Sequence, residues 1–168
     1  PEESADVLPY DNRVLQSPYV RDYARAWLSG DDQNIIYDHV VRLYAADDQE
    51  AFRYLREGQK YRDLPAELKR YRDDIFKDKY HKLLWDRPAW TITSHIAKDG
   101  YKYIHPDDDQ ARTLTVREAA RIQSFPDWFR FAGFRTHRLR QIGNAVPPLL
   151  AKAIAKVIME QWKAYHRR

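Results

Sequence analysis

The sequence predicts an α+β fold: a small lobe of short strands and helices, followed by a helix at the C-terminal end. Residues 90–94 and 101–105 are rich in β-branched and aromatic residues and flank an Asp-Gly pair, the composition of a β-hairpin. A capping-box pattern at Thr115 indicates a helix start. Apolar residues recur at three- and four-residue steps from Leu150 to Tyr165, which indicates an amphipathic helix.

The N-terminal part, residues 1–34, is predicted to be irregular. Pro9 and Pro18 interrupt it, and it has few periodic apolar residues. Within this part, residues 20–28 fit a short helix that ends near Gly30.

The next elements are predicted from caps and breakers. Asp47 is expected to cap a helix, because Glu50 three residues later completes a capping-box pattern. Gly58 is placed as the stop of that helix. Pro65 is expected at the first position of a second short helix that runs to Tyr71.

Two charged stretches have an ordinary structural explanation. Residues 69–82 interleave charge with Tyr71, Phe76 and Tyr80, a pattern found in nucleic-acid binding. A surface whose aromatic rings pack inward is the favoured interpretation. The three carboxylates of residues 107–109 are expected to form a solvated loop, since no partner motif indicates a metal site.

Charge is distributed unevenly. From position 112 onward the chain has 12 Lys and Arg residues against 3 Asp and Glu, a net charge of +9. The first 111 residues have 17 basic and 22 acidic residues, a net charge of −5. A basic C-terminal third favours an anionic partner such as nucleic acid. A solvated surface balanced by the acidic part is an equal alternative on charge alone.

Composition excludes several kinds of site. Without cysteine, the chain has no disulfide, zinc-thiolate site or thiol nucleophile. No apolar run approaches the roughly 20 residues of a membrane span, and no secretory leader is visible, so no membrane interaction is expected. Because the first residue is Pro1 rather than Met, we expect a piece of a longer polypeptide.

Segment 112–127 has three arginines along one helix-forming run. Arg117 and Arg121 are four residues apart and share a helix face. Glu118 completes the capping box of Thr115 and can pair with one of the arginines. Guanidinium groups suit buried bidentate pairs and phosphate clamps equally well. Of these two, a structural arginine network is favoured.

Segment 141–148 is predicted to be a polar loop that leads into the last helix. Gly143 permits backbone geometry that other residues resist, and Asn144 offers an amide donor and an acceptor. The helix is expected to begin at Pro147 or Pro148, where its free N–H groups can receive a carboxylate or phosphate. The alternative is an ordinary turn before a proline-initiated helix.

Together, the two segments resemble the last two motifs of cytosine-5 DNA methyltransferases. Residues 104–106 followed by 112–127 match motif nine nearly residue for residue, and 141–148 match motif ten. Residues 85–93 are similar to the entry to the second half of the family's target-recognition domain. The resemblance is strong over roughly the last half of the chain, extends back to about residue 35 and is absent before it.

The resemblance implies an S-adenosylmethionine-dependent enzyme that acts on double-stranded DNA. Asn144 and Val146 would line the S-adenosylmethionine pocket. Four residues with hydroxyl, imidazole or ammonium groups would face the DNA major groove: Thr93, Ser94, His95 and Lys98. For these four, a hairpin turn is the alternative. Five residues would organise the recognition domain as structural parts of motif nine: Arg112, Thr115, Arg117, Glu118 and Arg121.

The resemblance also implies a domain organisation. Residues 35–127 would form the target-recognition domain, ending in motif nine. Residues 128–168 would contain the motif-ten loop and the C-terminal helix. That helix would pack on a Rossmann-like catalytic domain that is missing from the chain, and its exposed stripe predicts self-association of the fragment.

Several parts of the family pattern are missing from the sequence. These are the glycine-rich cofactor loop, the Pro-Cys dipeptide with the nucleophile, the Glu-Asn-Val run and the arginine motif before the recognition domain. The family reaction attacks C6 of a flipped cytosine with a thiolate and methylates C5. We therefore expect no catalytic residue here and an inactive chain.

The function predicted from the resemblance is DNA recognition and partial closure of the cofactor pocket in a DNA (cytosine-5-)-methyltransferase, of a restriction-modification or other DNA-methylation type. The chain would be its C-terminal fragment, with the catalytic domain in cis or in trans. The alternatives are the recognition subunit of a split methyltransferase and a non-catalytic DNA-binding module. A bacterial cytoplasmic location is preferred over a nuclear one.

Overall fold

The computed structural model describes residues 7–9, 17–25, 35–72, 74–75 and 79–167. Within these parts the sheet has two strands, β1 (Val7–Pro9) and β2 (Ile35–Tyr37), paired antiparallel. The prediction of an irregular N-terminal part is therefore wrong at β1. Proline is tolerated there because it lies at the end of an edge strand.

Four α-helices follow: α1 (Ala46–Tyr54), α2 (Val116–Ile122), α3 (Arg135–Asn144) and α4 (Pro148–His166). The shorter elements are a π-helical turn at Val20–Ala24 and 3-10 turns at Tyr61–Asp63, Ala66–Leu68, Ser94–Ala97 and Gly100–Lys102. Helices outweigh strands, and the α+β class with a small lobe is confirmed. The start of the last helix at Pro148 is also confirmed.

Helix α1 begins without the predicted side-chain cap. Its N-cap is Ala45, and Asp47 lies in the first turn, where a carboxylate still interacts favourably with the helix dipole. The next carboxylate, Asp48, is buried and accepts hydrogen bonds from the hydroxyls of Tyr80 (2.8 Å) and Tyr101 (3.0 Å). Asp47 therefore interacts with the helix dipole, and Asp48 binds tyrosine hydroxyls of the core. Neither carboxylate caps the helix.

The other short helices are reduced or displaced. Gly58 has a φ of 76° but lies four residues beyond the end of α1, so it forms a later turn. Pro65 is the N-cap of the 3-10 turn Ala66–Leu68, which replaces the predicted helix. Within the predicted segment 20–28, Val20–Ala24 is helical. Residues 26–30 lie outside the described residues.

The predicted hairpin around the Asp-Gly pair is wrong. Two 3-10 turns take its place, with isolated bridges instead of a strand ladder in this described part. Side chains join the two stretches: the Tyr103 hydroxyl donates to the Thr91 carbonyl at 2.9 Å, and the Trp90 indole donates to the Lys102 carbonyl at 3.0 Å. The same aromatic residues that favour strands can therefore connect irregular backbone through their polar tips.

One apolar cluster lies among α2, α3 and the turn Ser94–Ala97. Leu139 and Ile142 of α3 are almost completely buried there against Ile96 of the turn. This cluster places α3 directly on the turn.

A second cluster consists largely of aromatic rings. Phe52, Tyr61 and Tyr80 are fully buried, and edge-to-face contacts join Tyr80 to Phe52 (5.6 Å between ring centroids) and to Tyr101 (5.1 Å). The inward packing expected for residues 69–82 is confirmed at Tyr80. Phe76 lies outside the described residues.

Helix α4 has no buried residue. By length and composition alone, the helical stretch Arg135–His166 is long and apolar enough to cross a membrane, contrary to our expectation. That is weak evidence, because Lys152, Lys156 and Lys163 share one side of α4 and leave the opposite side apolar. A one-sided stripe is the pattern of a helix that packs on a protein surface.

Candidate functional site

Helix α2 begins with the capping box that its sequence predicts. The Thr115 hydroxyl accepts a hydrogen bond from the Glu118 amide at 3.2 Å, and the Glu118 carboxylate accepts one from the Thr115 amide at 2.8 Å. The reciprocal bonds satisfy two backbone donors at the helix start. They also fix the position of the Glu118 carboxylate.

Arg112 forms a bidentate ion pair with Glu118, with N–O distances of 2.7 and 2.8 Å. Burial acts to raise the pKa of Glu118, but the hydrogen bonds and charge of Arg112 outweigh it and lower the pKa to about 2. His39 and His105 lie nearby, and burial lowers the pKa of each. Glu118 and Arg112 are therefore both charged at neutral pH. The imidazoles of His39 and His105 near them favour the neutral form.

Arg117 is completely buried. It donates to three carbonyl oxygens at 2.9 to 3.2 Å, those of Tyr37, Pro126 and Phe129. It also pairs with the Asp38 carboxylate at 3.5 Å. One guanidinium thus joins β2, α2 and the segment that follows α2.

Asp38 links this arginine to α3. Its φ is 65°, a conformation that an aspartate adopts more readily than most residues. Its carboxylate accepts a hydrogen bond from Arg138 at 2.6 Å, and its carbonyl accepts one from the Arg117 amide at 2.9 Å. Sequence reasoning missed Asp38, because no local pattern relates it to arginines about 80 and 100 positions away.

The third arginine of the segment, Arg121, pairs with Asp127 through bonds of 2.9 and 2.7 Å. The Asp127 amide donates to the Ala24 carbonyl at 2.7 Å. Carboxylates or carbonyls of this chain therefore bind all three arginines. This is the structural arginine network that the sequence favours, and it differs from a phosphate clamp.

The four residues considered for DNA contact form the N-cap and body of the 3-10 turn Ser94–Ala97 and its C-terminal flank. Thr93, His95 and Lys98 are exposed, and Ser94 is half-buried. Among the described residues, the side chains of His95 and Lys98 have no hydrogen-bond or ion-pair partner. Their polar groups are thus available to a ligand.

The motif-ten segment differs from the predicted loop, since residues 141–144 are the last turn of α3. Asn144 ends the helix with its side chain exposed, and Val146 is 61% exposed. The Gln123 side chain donates to the Ile142 carbonyl at 3.1 Å and holds this turn against α2. The first turn of α4 is tied down separately, by Leu149 N–H donating to the Ser124 hydroxyl at 3.1 Å.

The acidic loop at residues 107–109 is exposed at Asp108 and Asp109, as predicted, and half-buried at Asp107. It borders an open cleft of about 720 Å³ that is also lined by Trp85. Asp108 pairs with the ammonium group of Lys82, which is completely buried and also donates to the Phe52 carbonyl at 2.8 Å. Sequence reasoning missed this lysine, because nothing in the flanking residues indicates a buried charge.

The family model of C-5 cytosine-specific DNA methylases matches residues 9–160. The chain is 46% identical over 108 residues to the type II methyltransferase M.Bpa9945I of Bacillus paralicheniformis, covering 64% of the chain and 24% of that protein. It is 34% identical over 171 residues to the type II methyltransferase M.PspPI of Psychrobacter sp. That match covers 95% of the chain and 39% of M.PspPI.

A solved structure is also similar, that of a DNA modification methyltransferase encoded within a prophage (E. coli). Its TM-score is 0.56 at 30% identity, over 77% of this chain and 30% of that one. The chain thus spans about a quarter of M.Bpa9945I and about two fifths of M.PspPI. The family match also begins well before residue 35, which corrects the expected limit of the resemblance. Because that match covers most of its length, the chain belongs to the C-5 cytosine-specific DNA methylase family.

Proposed function

We propose that this chain is the DNA-recognition and cofactor-closing end of a C-5 cytosine DNA methyltransferase, and that it lacks the groups that transfer the methyl. The observation that carries the proposal is a family match over residues 9–160 in a sequence without cysteine. The family's methyl donor is S-adenosylmethionine, and its cytosine chemistry needs a thiolate nucleophile. A chain without a thiol therefore needs a second part to act.

The exposed end of α3 fits a role in holding the cofactor. Asn144 presents an amide that can donate and accept hydrogen bonds, and Val146 presents an apolar surface two residues later. A ligand with polar and apolar parts can use both. S-adenosylmethionine would supply the methyl group when bound, and these two residues would bind and orient it.

The turn Ser94–Ala97 and its flanks fit a role in reading DNA. Thr93, His95 and Lys98 are exposed and supply the hydroxyl, imidazole and ammonium groups that contact phosphates and base edges. The net charge of +9 beyond position 111 favours the same anionic partner. In this proposal residues 35–127 are the target-recognition domain.

Helix α4 would supply the attachment to the catalytic domain. Its apolar side includes Leu150, Ile154 and Val157, each 50 to 53% exposed. Burial against an apolar surface would stabilise such a stripe. Without that surface, the same stripe would promote self-association of the chain. The relatives are bacterial proteins, which favours the bacterial cytoplasm as the location.

A chimera tests the proposal. The end of M.PspPI that aligns with this chain is replaced by residues 1–168, and transfer of a labelled methyl group from S-adenosylmethionine to duplex DNA is assayed. We expect transfer by the chimera and none by the chain alone. Transfer by the chain alone, or a folded chimera that binds neither DNA nor S-adenosylmethionine, would contradict the proposal.

The encoding gene distinguishes a fragment from a subunit. An in-frame Pro-Cys motif upstream of Pro1 supports a single polypeptide. A start codon directly before Pro1 supports a split methyltransferase whose partner holds the nucleophile. In that second case, mixing the chain with the partner should restore methyl transfer.

A further inference from the structure

Gly143 brings α3 closer to the turn Ser94–Ala97 than any other residue type would allow. A Cβ added at this position would lie 2.5 Å from the carbonyl carbon of Thr93 and 2.6 Å from the amide nitrogen of Ser94, and it would also overlap the Thr93 carbonyl oxygen. These are backbone atoms, so no side-chain rotation relieves the overlap. The two backbones would have to separate.

The reason for a glycine here is proximity, not an unusual backbone conformation. Gly58 and Gly133 have positive φ values, and Gly143 does not. Gly143 lies inside α3, where glycine costs about 1 kcal/mol relative to alanine. A residue that weakens the helix therefore lies where the backbone of another segment is too close for a side chain.

Both sides of the contact are held by further bonds. On the turn, the Thr93 amide donates to the Tyr103 hydroxyl at 3.2 Å, and that hydroxyl donates to the Thr91 carbonyl. On α3, the Ile142 carbonyl accepts the Gln123 side chain, and Ile142 is completely buried. With both sides fixed, a displacement at Gly143 has to move the turn, the end of α3 or both.

We propose that the contact of Gly143 with Thr93 sets the position of the cofactor-contacting end of α3 relative to the DNA-contacting turn. This inference depends on the proposed function. Asn144 directly follows Gly143, and Thr93 is itself one of the proposed DNA-contacting residues, so both functional segments lie at the contact. Gly143 is thus a positioning residue for both ligands, and its contact couples the positions of the two binding segments.

The chimeric enzyme provides the functional test, with Gly143→Ala as the variant. We expect the KM for S-adenosylmethionine and the Kd for duplex DNA to rise together, each on the order of tenfold, because small displacements of binding groups have large effects. Asn144→Ala should raise only the KM, and Lys98→Ala only the Kd. A change in one constant alone for Gly143→Ala would overturn the inference.

Gly100→Ala is the matched control. It makes the same chemical change in a neighbouring turn, but its added Cβ would meet only the Thr113 hydroxyl at 3.5 Å, an ordinary contact. Neither constant should change in this variant. Equal effects of the two alanine variants would show that general loss of packing, not the contact at Gly143, is responsible.

Backbone NMR of the 168-residue chain separates failure of this inference from failure of the proposed function. Gly143→Ala should shift the amide signals of both Ser94–Ala97 and Asn144, whether or not these residues bind ligands. If both segments shift while Asn144→Ala and Lys98→Ala leave ligand binding unchanged, the proposed function is wrong. If only one segment shifts, the contact does not couple them.

A second variant covers the case in which Gly143→Ala does not fold. Tyr103→Phe keeps the ring and removes the hydroxyl that holds Thr93. A smaller rise in both constants is expected, since the loss of both hydrogen bonds of that hydroxyl loosens Thr93 without adding an atom at the contact. A change in the DNA constant alone would contradict the coupling.

Discussion

Helices α2 and α4 differ in where their side chains find partners. Arg117 of α2 is completely buried and bonded to carbonyl and carboxylate oxygens of this chain, whereas α4 has no buried residue at all. The side chains around α2 therefore find their partners within the chain, whereas the apolar side of α4 is exposed. Variants of the two helices should accordingly fail in different assays, α2 in stability and α4 in association.

The strongest test of this contrast is Arg117→Ala. This substitution removes the guanidinium that donates hydrogen bonds to three backbone carbonyls, and it leaves Asp38 paired with Arg138 alone. We therefore expect the free energy of unfolding to fall by about 3–5 kcal/mol. Urea denaturation measures it. Arg140→Ala is the control, because Arg140 is exposed on α3 and should have little effect. Equal losses would refute the assigned role of the buried network.

The pH dependence of the free energy of unfolding also tests the buried charge network around α2. The pKa of Glu118 falls from 4.5 to about 2 on folding, so its contribution is present above pH 4.5 and is lost as the pH falls toward 2. That contribution is roughly 3 kcal/mol. The lowered pKa values of His39 and His105 add a loss that begins below about pH 6.5.

Glu118→Gln tests the carboxylate's part of this dependence. Urea denaturation from pH 7 to pH 2.5 should show a lower stability at neutral pH and a flatter curve below pH 4.5. A curve that remains as steep below pH 4.5 as that of the unchanged chain would assign the acid sensitivity to other groups.

A substitution on the apolar side of α4 should give the opposite result. Ile158→Glu is expected to weaken self-association of the chain by roughly 1–2 kcal/mol. It should leave the melting temperature of the dilute, monomeric chain unchanged, because Ile158 is 58% exposed. Sedimentation equilibrium measures the association. Lys156→Glu, on the polar side of the same helix, is the control. A lowered melting temperature for Ile158→Glu would show that α4 is part of the folded core.

The smallest expected effect is that of Lys98→Ala on DNA binding by the chain. Loss of one phosphate contact should weaken binding a few-fold and reduce the salt dependence by about one unit of slope. Fluorescence anisotropy across a salt series measures both. Lys163→Ala, on α4, should change neither, and an unchanged slope for Lys98→Ala would exclude this residue as a contact.

Elements with a local signal could be predicted from the sequence. The capping box of Thr115 and the period of α4 each depend on residues within one or two turns, and both are present in the structure. The Asp-Gly hairpin was wrong because aromatic and β-branched runs also suit irregular packed segments. The buried charges Asp38 and Lys82 had no local signal, since partners 26 to 100 positions away decide their burial.

The candidate site also has features with a local sequence signal and features that depend on tertiary packing. Its residues were named from the resemblance to a family, and the structure places them at exposed positions apart from the half-buried Ser94. The close approach of Gly143 to Thr93 could not be predicted, because it depends on how α3 packs on a turn fifty positions earlier in the chain. Chemical character is local in this molecule, whereas relative placement is set by tertiary packing.

The hydrogen bonds of the N-terminal tyrosines limit how far the lobe can be shortened. The Tyr19 hydroxyl donates to the Arg121 carbonyl at 3.0 Å, and the Tyr23 hydroxyl donates to the Ser124 carbonyl at 2.8 Å, both across more than 100 positions. Such long-range contacts form late on a growing polypeptide. Tyr19 and Tyr23 can therefore form these bonds only after Ser124 has been synthesised, and a chain shortened past Tyr23 would lose both of them.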